Sequence, residues 1–304
     1  MNGICLDKNY STTRLLIKVK SSFKKSPEGE NYKGEGGLRT KGYFKKNYPE
    51  KPLITIITVV FNGEKYLEET IQSVINQTYD NVEYIIIDGN STDGTVKIIE
   101  KYEDRIDYWV SKSDSGVYDA MNKGVELSKG KWLNLMNCGD ILFEKDTLSK
   151  INKEIKIISS KISFLYSDTQ LYNIEEKRLT KKLICDNRNK IIMHQSCIYK
   201  KSLHKDYGRY LVKKGITISD YLFFNIVPNK YFKKVDNIIS RYNINGISSS
   251  VRITFYQKLA VDLMFGNITL FYALIRILSY PLRILKYRLK KIISFMKMKK
   301  QIVK

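Results

Sequence analysis

Residues 132–140 read WLNLMNCGD, an apolar run that breaks into a polar cluster ending in one carboxylate, Asp140. Asn, Gly and Asp are ordinary turn residues, so a plain turn is one reading. The other is chemical. Asp140 and Asn137 are hard oxygen donors, of the kind that hold Mn²⁺ or Mg²⁺ when a substrate's phosphates complete the coordination. Three more apolar runs end in polar clusters: Phe61-Asn62, Asp88-Gly89-Asn90-Ser91 and Ser113-Asp114-Ser115. Phe61 offers a face on which a base can stack. Asp88 offers a carboxylate that can accept the imide N–H of uracil. One such end is a turn, whereas four converging on one edge point to a site.

Those clusters need elements to place them. ITIITVV (54–60) and VEYIIID (82–88) are continuous β-branched runs, the pattern of strands buried on both faces. Between them Leu67, Ile71, Val74 and Ile75 line one face of a helix, with Asn62 as its expected N-cap. TVKIIEKY predicts a second helix, IDYWV (106–110) a strand, GVYDAMNKGVELS a third helix and KWLNLM (131–136) a fourth strand. Strands alternating with helices at short spacing predict βαβ units and a mainly parallel sheet flanked by helices. Ligands of such sheets bind outside the carboxyl ends of the strands. The first strand is followed by FNGEKY rather than GxGxxG, and no Walker A spacing surrounds GKW at 130–132. A dinucleotide site and a P-loop are therefore disfavoured.

The chain has 304 residues and 43% hydrophobic content, enough for one large domain with a core. Four scattered cysteines form no CxxC pair, and the two histidines, His194 and His204, have no zinc spacing. No charged n-region followed by an apolar h-region opens the chain, so a cytoplasmic protein is expected. The net charge of +22 is unevenly spread: residues 1–51 carry 12 Lys/Arg against 5 acids, and residues 281–304 carry 9 against none. Such ends attract polyanions or anionic lipid. In the tail, Leu282, Leu285, Leu289 and Ile292 fall on one helical face, with Arg283, Lys286, Lys290 and Lys291 on the others. That is the pattern of a helix lying on an anionic membrane surface, and a helix docked on the core with a solvated basic face is the alternative. SPEGENYKGEGG (26–37) reads as a linker.

ITIITVVFNGEKYLEETIQSVINQTYDNVEYIIIDGNSTDGT resembles the start of family 2 glycosyltransferases, as do SKSDSGVYDAMNKGVELSKGKWLNLMNCGD, MHQSCIYKKSLHKDYGRY and ISDYLFFN in the family's order. The resemblance covers about residues 38–250. It implies the GT-A fold and transfer of a hexosyl or N-acetylhexosaminyl group from a nucleotide sugar, in a subgroup that builds bacterial surface polysaccharides such as O-antigen, capsule or colanic acid. With the charge distribution, it divides the chain into a basic N-terminal extension over residues 1–50, the transferase domain over 51–250 and a basic amphipathic helical segment over 251–304. Position by position, Val59 and Phe61 match residues that hold the base, and Asp88 the first acid of D-D-G-S, whose second position is Gly89 here. Asp114 and Asp119 fall in the segment lining diphosphate and sugar. Asn137, Gly139 and Asp140 stand at the acidic positions of the metal motif D-x-D-D, leaving Asp140 as the strong ligand and Asn137 as a neutral one. Asp220 matches the catalytic base of an inverting displacement. His194 and Gln195, in the β-like stretch IIMHQSCIY, lie near donor sugar and acceptor, with His194 the second candidate for the base. NGISSS (245–250) resembles a loop that closes over substrate.

The expected partners are a nucleotide sugar, with UDP as the nucleotide, a saccharide or polyprenyl-linked acceptor, and the inner face of the plasma membrane. A basic nucleic-acid-binding protein is the rival reading, prompted by a pI near 9.6 and 22 tyrosines. The basic excess sits in the ends, however, and the middle carries no RRM, HTH or OB signature, so no nucleic acid is expected. A catalytically inactive relative is the other rival, because two metal-motif acids are missing.

Overall fold

The computed structural model describes residues 31–244 and 251–281, together with the backbone of Ile17–Lys18. The chain divides into two compact units, Met1–Val251 and Arg252–Lys304. In chain order the first unit contains β1 (Ile17–Lys18), β2 (Tyr32–Gly36), β3 (Tyr43–Phe44), β4 (Ile54–Val60), α1 (Leu67–Ile75), β5 (Val82–Asp88) and α2 (Thr95–Lys101). Then come β6 (Tyr108–Lys112), α3 (Val117–Leu127), β7 (Trp132–Asn137), β8 (Ile141–Leu142), α4 (Thr147–Ile157) and β9 (Phe164–Tyr166). β10 (Thr169–Asn173), β11 (Arg178–Leu183), β12 (Cys197–Lys200), α5 (Ser202–Tyr207), α6 (Ser219–Ile226), β13 (Phe232–Lys234) and β14 (Ser240–Asn243) complete it. The second unit is built on α7 (Val251–Met264) and a further helix at 270–281.

Eight strands form the main sheet in the order β13-β9-β12-β7-β4-β5-β6-β2. β7, β4, β5 and β6 run parallel, as the β-branched runs predict. Their side chains alternate between two cores. Ile54, Ile56 and Val60 of β4 pack with Leu67, Ile71, Ile99 and Ile151 on one face. Ile57 and Val59 pack with Met121, Val125, Phe223 and Phe224 on the other. Period-two alternation in a strand covered on both faces turns a continuous apolar run into two apolar faces. Register then aligns the carboxyl ends: Val59 lies between Ile87 and Asn137, Val60 pairs with Asp88, and Asp88 pairs with Ser111.

Three sequence expectations change. Tyr32–Gly36, inside the expected linker, is a strand that pairs antiparallel with β6 at the sheet edge. Helix α1 starts at Leu67 with Tyr66 as its N-cap residue, while Asn62 adopts φ 52 and turns the chain out of β4. IIMHQSCIY is a short 3₁₀ turn at His194–Ser196 followed by β12. A second sheet, β11-β10-β14-β8, has no counterpart in the sequence reading. Its strands are short and mix buried, half-buried and exposed positions, so no continuous apolar run announces them. The tail residues Leu282, Leu285, Leu289 and Ile292 and the loop 245–250 lie outside the described residues.

Residues 39–45 are bound into the domain by two buried ion pairs. Arg39 meets Glu83, and Lys45 Nζ lies 2.7 Å from Asp107 Oδ2. Burial pushes the Glu83 carboxyl up, but Arg39, the Lys129 N–H and the Thr55 hydroxyl outweigh it and hold it below its ordinary value. Removing one partner of such a pair leaves an uncompensated buried charge. Arg39→Met is therefore expected to cost about 3–5 kcal/mol of unfolding free energy, read from urea denaturation, and Arg39→Met with Glu83→Leu should recover part of it. A loss below about 1 kcal/mol in the single variant would contradict this account.

Candidate active site

The turn at Asn137–Asp140 lies between β7 and β8. Gly139 there has φ +94, a conformation that strains any residue with a side chain, and an added Cβ would sit 3.0 Å from Asn243 Nδ2. An aspartate in place of Gly139 would be strained in this backbone conformation. Asp140 is buried; its Oδ1 accepts the Asn243 N–H at 2.9 Å. Asp140 Oδ2 and Asn137 Oδ1 are both buried without a hydrogen-bond partner. Burial pushes the Asp140 carboxyl up to about 7, against the Asn243 N–H and the nearby His194.

Orphaned buried acceptors cost free energy, and both of these lack a cationic partner. Hard oxygens on one tight turn fit a divalent ion that takes the rest of its coordination from a diphosphate and water. Among the described residues, no group of three His, Cys, Asp or Glu is placed to hold a metal by itself. The donor set therefore fits an ion bound together with nucleotide better than one bound alone.

A hydrogen-bond chain leads from this turn to the expected base. Asn137 Nδ2 lies 3.1 Å from His194 Nε2, His194 Nδ1 lies 3.0 Å from Asp220 Oδ2, and the Tyr118 hydroxyl donates to Asp220 Oδ1 at 2.8 Å. With the amide donating to Nε2, the imidazole carries its proton on Nδ1 and donates it to Asp220. Burial raises the Asp220 carboxyl, but His194 and Tyr118 outweigh it and hold it below its ordinary value. Burial lowers the His194 imidazole, but Asp220 and Asp140 raise it further, for a net upward shift. Asp220 lies in the first turn of α6, as its sequence position predicts. Tyr118, in the first turn of α3, is the functional candidate that sequence reasoning missed, since an interior tyrosine carries no signal of the partner its hydroxyl will find. Tyr118→Phe is expected to reduce turnover by about 10-fold, with nucleotide affinity unchanged, because Asp220 keeps His194.

The other histidine has a structural place. His204 is stacked on Phe223 at 4.6 Å, and its Nε2 lies 2.9 Å from the Tyr199 hydroxyl. Gln195 shares the turn of His194, but its side chain is fully buried and its amide atoms have no hydrogen-bond partner.

At the neighbouring strand ends, Phe61 is 60% exposed, an open apolar face just past the end of β4, while Val59, inside the strand, is buried. Asp88 is fully buried. Its Oδ1 accepts the Ser91 hydroxyl, and its Oδ2 accepts the Ser91 N–H at 3.0 Å and the Ser111 hydroxyl at 2.5 Å. Its carboxylate thus shapes the 88–91 turn from inside. Gly89 leaves room for Asp114: an added Cβ would lie 2.8 Å from Asp114 Oδ2. The carboxylate of Asp114 therefore occupies the space beside the position where D-D-G-S has its second acid. Burial raises the Asp114 carboxyl above its ordinary value. Asp119 is turned to local work, accepting the Ser115 N–H at 2.9 Å and pairing with Lys123 at 3.0 Å.

A mainly parallel sheet with helices on both faces, and carboxylates gathered at its carboxyl edge, defines a GT-A architecture. The chain belongs to glycosyl transferase family 2, whose family model matches residues 55–208. It is similar to a Bacillus subtilis protein named as the teichuronic acid biosynthesis glycosyltransferase TuaG, 37% identical over 33% of this chain and 40% of that one. It is also similar to a PGL/p-HBAD biosynthesis glycosyltransferase of Mycobacterium tuberculosis, 27% identical over 66% of this chain and 80% of the relative. The match thus spans two fifths of the length of TuaG. Among solved structures, the fold is shared with Staphylococcus aureus TarS 1–349 in complex with UDP-GlcNAc, at a TM-score of 0.57 and 18% identity over 70% of this chain and 65% of that one. It is shared too with the mannosyltransferase PcManGT of Pyrobaculum calidifontis in complex with GDP-Man and Mn²⁺, at a TM-score of 0.50 and 16% identity over 64% of this chain and 57% of that one.

Proposed function

We propose that the protein transfers a hexosyl or N-acetylhexosaminyl group, with inversion, from a UDP-sugar to a saccharide or polyprenyl-linked acceptor of a bacterial surface polysaccharide. The observation that carries this reading is the hydrogen-bond chain Asn137–His194–Asp220, which joins the two-oxygen turn to a largely buried carboxylate. Phe61 stacks on the base over Val59, with Asp88 holding the turn beside it. Asp114 and the α3 start edge the diphosphate, and Asp119 keeps that start in shape. His194 faces the reacting sugar.

Asp220 stays ionised and accepts the proton of the acceptor hydroxyl as its oxygen attacks the anomeric carbon. The sugar–phosphate bond breaks on the opposite face, and its electron pair leaves with the diphosphate. His194 holds Asp220 in line and shares the proton's charge. Asp140 and Asn137 would hold Mn²⁺ or Mg²⁺, which neutralises the charge growing on the diphosphate. In this reading the enzyme works in the cytoplasm at the inner membrane face, drawn to anionic lipid by the basic charge of residues 281–304.

A thermal-shift screen of nucleotide sugars with and without Mn²⁺ tests the donor and metal assignments together. A ligand that binds only the native state raises the melting temperature. UDP-sugars are expected to do so with Mn²⁺ and much less with chelator. No shift with any nucleotide sugar, or shifts unaffected by chelator, would count against the reading.

A further inference from the structure

The second unit presents an apolar face outward. Helix 270–281 reads LFYALIRILSYP, and its one charged residue is on the side packed against α7. Arg276 lies 3.6 Å from Asp262 and over the Phe255 ring, and Tyr280 stacks on Phe255 at 4.1 Å. Ala273 and Tyr280 are buried on that side. The opposite face carries Leu270, Phe271, Leu274, Ile275 and Leu278, at spacings that keep them within one arc of the helix. Phe271 is 74% and Leu278 76% exposed. The helix is thus inverted relative to a helix of a water-soluble surface, with its cation inside and leucines outside. Soluble monomers rarely leave so contiguous an apolar face open.

Charge says what covers it. Directly after the helix in sequence, residues 282–304 hold nine Lys/Arg and no acid. A second copy of this chain would add nine more cations next in sequence to the same helix, and repulsion would oppose that dimer. An anionic bilayer satisfies both features at once, taking the apolar face among its acyl chains and the cations at its headgroups. The 12 described residues of the helix reach about 18 Å, against a hydrocarbon core of about 30 Å. Among the described residues no helix is long and apolar enough to cross a membrane.

We propose that the face of Leu270, Phe271, Leu274, Ile275 and Leu278 inserts into the interfacial layer of an anionic membrane, so that attachment is hydrophobic as well as electrostatic. This differs from adsorption through the basic tail alone, which salt dissolves. It is also independent of the catalytic reading, since neither the donor nor the base enters it.

The test is flotation of the full chain with phosphatidylcholine vesicles, with and without 30 mol% phosphatidylglycerol, in 0.1 and 1 M NaCl. Wild type is expected to float with anionic vesicles, and most of it should stay bound at 1 M NaCl. The variant with Leu270→Ser, Phe271→Ser, Leu274→Ser and Leu278→Ser should lose at least tenfold of the salt-resistant fraction. Because that variant could fail to fold, Phe271→Trp provides a second reading: its added fluorescence should shift to shorter wavelength on binding and be quenched by lipids brominated on the acyl chains. Full release of wild type at 1 M NaCl would overturn the proposal, as would unquenched Trp at position 271. So would a concentration-dependent dimer, without vesicles, that the four substitutions abolish. Nucleotide thermal shifts on the same samples report the catalytic reading separately, so either can fail alone.

Discussion

Asp220→Asn is expected to lower kcat by about 10²–10⁴-fold while leaving UDP affinity within a factor of two of wild type. The amide keeps the size of the carboxylate and can still meet Tyr118 and His194, so the fold and the donor pocket stay in place. What is lost is the ionised oxygen that takes the acceptor's proton. The neighbours of Asp220 predict a graded series. His194→Gln removes the donor at 3.0 Å that fixes Asp220 Oδ2 and should fall between Tyr118→Phe and Asp220→Asn. Turnover would be followed with UDP-release assays, and nucleotide affinity by calorimetry. If Asp220→Asn turned over at near wild-type rate, the base would have to be sought elsewhere, with His194 the next candidate. If all three variants lost UDP binding equally, the cluster would be a structural prop of the donor pocket.

Asp140→Asn is expected to move stability and function in opposite directions. The Asp140 carboxyl is buried, one of its oxygens has no partner, and burial pushes it up to about 7. A carboxyl raised in the folded state costs nothing below its unfolded value of 3.8, and the cost grows as pH rises until it is complete above about 7. At pH 8 without metal, wild type therefore carries the full penalty of an uncompensated buried charge. The amide removes the charge, so Asp140→Asn should stabilise the metal-free protein at pH 8 by on the order of 2–4 kcal/mol, and by little near pH 4. The same change should abolish the Mn²⁺-dependent part of UDP binding and with it turnover. Comparing urea midpoints across pH, with and without Mn²⁺ and UDP, reads both effects. A variant destabilised at pH 8 would contradict the assignment, because it would make Asp140 an ordinary structural cap. Sites held in an unfavourable state for function commonly stabilise a protein when neutralised.

The parts legible in the sequence share one physical origin. ITIITVV and VEYIIID, short β-branched runs, are strands covered on both sides, and the helix face between them, Leu67, Ile71, Val74 and Ile75, is buried to 0% exposure. Once those strands are parallel, register alone brings Val59, Asp88 and Asn137 to one edge. The sequence cannot tell which way a side chain faces when it reaches that edge. Asp88 and Asp119 are acids in the expected segments, yet Asp88 accepts the Ser91 N–H and the Ser91 and Ser111 hydroxyls, and Asp119 the Ser115 N–H and the Lys123 ammonium. Asn62 has the composition of a cap but sits at positive φ, where it links two turns through Ser91 and Thr92. The edge strand β2 was hidden by its composition: Tyr32–Gly36 contains two glycines and two charges, and pairing with β6 rather than propensity makes it a strand. Gly139 and Gly89 show the reverse. Each departs from the motif that the resemblance implies, and at each an added side chain would be strained or crowded, by a left-handed turn in one case and a neighbouring carboxylate in the other.

A crystal structure of the protein with UDP and Mn²⁺ tests the central claim most directly. It should place the ion against Asp140 Oδ2 and Asn137 Oδ1 and bridge it to the diphosphate, with the uracil on Phe61 and the Asp220 carboxylate facing the open side of the same cleft. A nucleotide bound elsewhere, or an ion that reaches the diphosphate without touching Asp140, would contradict it.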